Sequence, residues 1–204
     1  MYFLTFTTFG ISQSKLDGIG EIRLGMTFEQ LNKFITSETR LLDKHYDVDD
    51  LSIIQIPRYE PIEGYYLKRM NLYFYKEQLY EIEINSNDGG DTNIDDALTI
   101  KYGEPQTKTT NEPLVFQNGF GATFTKTETT TKKEWKTNTP FIKCTYYHAL
   151  SYTAVKEKIL PYSSKSFNLV DTKIQEIVLN ESEKKRNQRI QEENEKKKKL
   201  VENL

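Results

Sequence analysis

The chain has 204 residues, enough for one ordinary domain with an extension or for two small ones. Its net charge of −2 creates no overall field toward nucleic acid or an anionic membrane, and its single cysteine, Cys144, excludes an intramolecular disulfide. Hydrophobic residues make up only 36%, but the deficit is concentrated in residues 171–204, which hold no aromatic side chain; the remainder is rich in Tyr, Phe, Ile and Leu and can bury a core.

Residues 1–11 are apolar and Thr-rich, and Ser12-Gln13-Ser14 follows with small residues at the spacing a signal peptidase reads. Residues 1–14 therefore read as the remnant of a secretory signal cut after Ser14, lacking only the basic start. A periplasmic or extracellular location follows if the signal is real, and a cytoplasmic one if residues 2–8 are instead a strand. No other stretch approaches the roughly 20 apolar residues of a membrane span.

The globular part is expected over residues 15–170. Residues 18–25 alternate as a short strand closed by glycine. Thr27 and Gln30 have capping-box spacing, and Phe28, Leu31, Phe34 and Ile35 recur at helical spacing, which predicts a helix fading near Ser37. An apolar strand over 51–56 is expected to stop at Pro57, with Pro61 and Gly64 in the next turn. Residues 65–75 and 79–85 form a hairpin around Lys76-Glu77-Gln78. That register sets Phe74 opposite Tyr80, Leu72 opposite Ile82 and Met70 opposite Ile84, all on one face.

A second helix runs through Ile94, Leu98 and Tyr102, capped by Thr92 or Asn93 and stopped by Gly103 and Pro105. A hairpin over 114–124 turns at Asn118-Gly119. Strands follow near 133–136, 141–147 and 166–170, while 150–160 fits helix or strand. The order β-α-β-β-β-α-β-β-β-β, followed by a long charged helix, predicts an α+β fold with helices on an antiparallel sheet. Phe28, Leu31, Phe34, Met70, Leu72, Phe74, Ile82, Ile84 and Leu98 are its expected common core.

Residues 171–204 lack Gly and Pro and carry i,i+4 pairs such as Glu181–Lys185 and Glu192–Lys196. Ile174, Ile177 and Val178 give the first turns an apolar face. The heptad seam beyond Asn180 is polar, which argues against a stable coiled coil and for a solvated helical tail.

Gly20-Glu21-Ile22-Arg23-Leu24-Gly25-Met26-Thr27, running into a helix, and Lys101-Tyr102-Gly103-Glu104-Pro105, ending one, resemble the small outer-membrane assembly lipoprotein family and the β-lactamase inhibitor proteins that share its fold. The resemblance covers residues 18–105 and rests on capping and turn chemistry. It implies helices on a short antiparallel sheet and a role in protein–protein binding. The family's acylated cysteine has no counterpart, since Ser14-Lys15 stands at the cleavage point. Ile11-Ser12-Gln13-Ser14 also resembles the leader ends of exported proteins from Bacteroidetes-type bacteria.

Few residues suggest chemistry. Cys144 and His148 lie about 13 Å apart on one face of a strand, too far to share a metal. Asn87, Asp88 and Asp91 are weak calcium candidates, because Gly89 falls where an oxygen ligand belongs. Asp47, Asp49 and Asp50 read as a solvated turn. No catalytic residue, metal site or cofactor is expected. The polar hairpin face bearing Arg69, Tyr73, Glu81 and Glu83 is the candidate interaction surface. The sequence thus points to an exported, non-enzymatic protein-binding or envelope accessory module, with no nucleic-acid role and with its oligomeric state open. The alternatives are a hydrolase-like enzyme using carboxylates of the 47–50 and 88–96 loops, or an intracellular interaction protein.

Overall fold

Alternating apolar and polar residues build the centre of the molecule. In a computed structural model, which describes residues 16–42, 48–62, 65–86, 94–137, 139–155 and 158–202, two short strands, β1 (Gly18–Ile19) and β2 (Ile22–Arg23), pair with each other. Eight further strands form one antiparallel sheet: β3 (Arg40–Leu42), β4 (Leu51–Ile62), β5 (Tyr65–Tyr75), β6 (Gln78–Ser86), β7 (Gln106–Gln117), β8 (Thr123–Trp135), β9 (Ile142–Val155) and β10 (Lys158–Asp171). Their spatial order is β3-β4-β5-β6-β10-β9-β8-β7. Among the described residues there are two α-helices, α1 (Ile94–Tyr102) and α2 (Thr172–Glu202). The architecture is α+β, with more strands than the sequence suggests.

Each face of the sheet has its own core. On the front face Ile54, Ile56, Met70, Leu72, Phe74, Leu79, Ile82, Ile84, Phe167 and Leu169 pack with Ile94, Leu98 and Tyr102 of α1 and with Ile19, Ile22 and Leu31. On the back face a smaller cluster of Val48, Leu51, Tyr75, Tyr80, Val170 and Val178 holds the first turns of α2. Seven of the nine expected core residues share the front cluster, and Phe34 packs against it. Phe28 does not: it is 47% exposed, although its ring lies 6.1 Å from that of Phe74.

Several expected elements take a different form. The strand expected over 18–25 folds back at Gly20, giving the β1–β2 hairpin. Gly18 is required there, because a Cβ would sit 2.0 Å from the Ile22 carbonyl oxygen. The first helix is only a 3-10 segment, Glu29–Phe34. The capping box nevertheless forms: the Thr27 N–H donates to Gln30 Oε1 at 2.9 Å and the Gln30 N–H to Thr27 Oγ1 at 3.4 Å. β4 runs past Pro57 to Ile62 rather than stopping, and Pro61 lies within it. β3 pairs with β4 only at residues 53–55, so beyond them β4 is an edge, where a missing N–H is tolerated.

The β5–β6 turn has two residues, not three. Lys76 and Glu77 both take positive φ, and Tyr75 pairs with Gln78. Phe74 then faces Leu79, and a bulge restores the expected Leu72–Ile82 and Met70–Ile84 pairs. Tyr80 is thereby moved off the front face into the back cluster. Gly25–Thr27 bonds the outer edge of β6 at this point: the Leu79 N–H donates to the Met26 carbonyl at 2.9 Å, and the Gly25 N–H to the Leu79 carbonyl at 2.7 Å. α1 ends as expected, with Gly103 at φ +85 and its N–H 2.9 Å from the Thr99 carbonyl.

The second half consists of two long hairpins. Residues 150–155 and 158–160 belong to β9 and β10 rather than to a helix. The β7–β8 connection is the loop 118–122 rather than an Asn-Gly pair. Asn118 Oδ1 accepts the Phe120 and Ala122 N–H groups at 3.0 and 2.9 Å, and Gly121 takes φ +84. The β8–β9 ladder stops at Thr129–Leu150, and the β10–β6 ladder at Lys165–Ser86, where β6 ends, although β8, β9 and β10 continue. Each hairpin therefore extends as a two-stranded arm beyond the sheet.

Candidate interaction surface

The back face of β5 and β6 is where alternation places Asn71, Tyr73, Glu81 and Glu83. Three of the four residues singled out from sequence come together there. Tyr73 Oη donates to Glu83 Oε2 at 2.6 Å, and Asn71 Nδ2 donates to the same oxygen at 3.0 Å. Gln55 Nε2 on β4 donates to Asn71 Oδ1 at 3.0 Å, which extends the network across three strands. Glu81 accepts hydrogen bonds from Asn168 on β10 and from Gln175 on α2. Burial raises its pKa above the usual carboxylate value, the neighbouring Glu83 charge adds to this, and the two amides oppose it. Arg69 stands apart: it is exposed, has φ +55, and joins none of these hydrogen bonds.

Much of this face is already occupied by the chain itself. Asp171 caps α2, its Oδ1 accepting the Lys173 N–H at 3.0 Å and the Ile174 N–H at 3.3 Å. Val178 is 1% exposed, while Ile177, expected beside it, is 46% exposed and faces outward. Contact continues past Asn180: Tyr75 Oη donates to Glu181 Oε1 at 2.7 Å, and Lys185 Nζ lies 2.7 Å from Asp49. The Glu81 end of the polar network is therefore part of the seat of the C-terminal helix.

The other sequence candidates do not converge. Asn87, Asp88 and Asp91, with Asp47 and His45, lie outside the described residues. Asp49 pairs with Lys185 on the back face, whereas Asp95 lies 2.7 Å from Lys133, whose neighbour two residues on, Trp135, belongs to the front core. The described carboxylates of the two loops thus lie on opposite faces of the sheet. Burial raises the Cys144 thiol pKa, the reverse of what a nucleophile needs. His148 Nε2 lies 2.9 Å from Ser163 Oγ, but among the described residues no carboxylate bonds the ring to orient it. Glu128 and Glu134, each three positions along β8 from the residue opposite His148, bond Ser151 and Lys132 instead. No cluster of three or more metal-ligating side chains occurs among the described residues. No described helix is long and apolar enough to cross a membrane.

The sequence reading missed the ends of the two arms. Phe120 at the β7–β8 loop is 98% exposed and Val115 is 68% exposed, while Phe116 and Phe124 stack with ring centres 5.9 Å apart. The β9–β10 arm carries Val155, Leu160 and Tyr162, each about half exposed. Comparison with protein-family models, with curated proteins and with solved structures finds no match.

Proposed function

We propose that this chain is an exported, non-enzymatic binding module of the cell envelope that holds a protein partner on its projecting hairpin arms. One observation carries the reading. Aromatic and aliphatic side chains are exposed at the arm ends, where β8 no longer pairs with β9 nor β10 with β6 and, among the described residues, no core cluster includes them. Exposed apolar clusters of this kind mark interaction sites when folding does not need them. Tyr and Phe suit such a role because each buries a large area with few rotatable bonds. The resemblance of residues 18–105 to a protein-binding envelope family supports the same reading, and the signal-like residues 1–14 support export.

A photo-crosslinking residue placed at position 120 in the native cell tests both parts. The expected product is one discrete protein adduct on a chain that begins near Lys15. A chain with its first fourteen residues intact overturns export. Absence of an adduct at 120, when a control position on the arm root also gives none, overturns binding through the arms.

A further inference from the structure

We infer that the outer edge of β7 pairs antiparallel with β7 of a second copy, about a two-fold axis through Thr110. The inference stands apart from the arm-tip reading and concerns a different surface. β7 ends the sheet, and no described strand pairs its outer side over twelve residues; the opposite edge strand, β3, has only three. A long open edge is a template for another strand unless it is covered.

The charge pattern identifies the occupant. In the β7–β8 ladder Lys108 lies directly opposite Lys132, and Glu112 directly opposite Glu128. Like charges at opposed positions oppose pairing. Lys132 is relieved by Glu134 at 2.9 Å, and Glu128 bonds Ser151. Lys108 and Glu112 are exposed at the open edge beside these like charges.

A two-fold at Thr110 sets Lys108 of each copy opposite Glu112 of the other. Across the join the row then reads Lys132, Lys108, Glu112, Glu128, and the reverse order on the other side of the axis. Thr109 faces Asn111, and Thr107 faces Pro113. A shift of the axis to Glu112 would place that carboxylate against itself, so charge selects the register. Pro113 removes one donor near each end of the pairing and leaves its centre intact.

Sedimentation equilibrium of the full chain at low salt tests this. A dimer is expected. Lys108→Glu and Glu112→Lys each create two like-charge pairs and should raise its Kd roughly tenfold. The double variant restores opposite charges and should return to near the parental value. Both sites are exposed, and circular dichroism checks the fold of each variant. Thr110→Cys, at the axis, should oxidise to a covalent dimer, since directly opposed strand residues fall within disulfide range. Thr107→Cys should not. A monomer at every concentration, a dimer indifferent to the single charge reversals, or a double variant no better than the singles would each overturn the pairing.

Discussion

The β5–β6 and β7–β8 hairpins belong to one sheet and are each joined by an antiparallel ladder of backbone hydrogen bonds, yet they live in opposite environments. In the first, Met70, Leu72, Ile82 and Ile84 are 0–4% exposed and helices cover the face. In the second, every β7 residue up to Pro113 is exposed, and Leu114 and Phe116 are only partly covered. Hydrogen bonding gives both the same geometry, but the free energy comes from apolar burial, which only the first possesses. A two-stranded ribbon alone in water is marginal. The arms are therefore held by their roots, where the Thr109 and Thr131 hydroxyls are 3.3 Å apart, and by cross-strand pairs such as Phe116–Phe124.

The largest test of this contrast is a pair of core and arm substitutions. Leu72→Ala removes a side chain that is 1% exposed and should destabilise the protein by ~2–5 kcal/mol. Phe120→Ser removes one that is 98% exposed and should change stability by less than about 0.5 kcal/mol. Chemical denaturation of both variants checks the difference. Similar costs would show that the arm ends fold onto the body.

The C-terminal helix contains the same contrast within one element. A chain ending at Val170 loses Val178 and uncovers Tyr80, and should lose at least ~2 kcal/mol. One ending at Asn180 keeps Val178 but loses the Tyr75–Glu181 bond and the Asp49–Lys185 pair, at a cost of about 1–2 kcal/mol. One ending at Arg186 should match the full chain within about 0.5 kcal/mol. Thermal melts of the three chains give the order. Equal midpoints for the Val170 and Arg186 ends would mean α2 does not dock. Amide exchange should follow the same logic, with residues 123–127 of β8 exchanging well before residues 70–74 of β5.

How much of this was legible depends on where local chemistry and burial agree. The Thr27–Gln30 box, the Gly103 stop and the Met70–Ile84 register rest on residue types with few alternative uses, and all three formed. The Tyr80 bulge was hidden because its turn uses Lys76 and Glu77 at positive φ, where Asn-Gly would have announced two residues. The arms were underestimated because burial periodicity fails when neither face is buried. The available signal was β-propensity, since Thr recurs at every second position from Thr123 to Thr131. The polar face of β6 was read as an outward surface because nothing in its own sequence reveals that α2 returns to cover Glu81.

That covering leads to the smallest effect, one that depends on pH. The folded state raises the Glu81 pKa, with burial as the first cause. For a carboxyl group raised on folding, the folded state binds the proton more tightly than the unfolded chain does. Stability from this group is complete below the unfolded value and declines as pH rises through the folded one. The ionised form of Glu81 therefore opposes the docking of α2. Glu81→Gln removes the charge while its amide oxygen can still accept from Asn168. The Gln175 amide must turn to offer its oxygen to the new N–H group. The variant should melt above the parent at pH 7, and the advantage should shrink as pH falls through the raised folded value and be gone below the ordinary carboxylate range. The chain ending at Val170, which lacks Gln175, should show a smaller gain from the same substitution. An advantage independent of pH would mean that shape, not charge, limits the fit of the helix. A loss at pH 7 would mean that the hydrogen bonds from Asn168 and Gln175 to the carboxylate outweigh the cost of burying it.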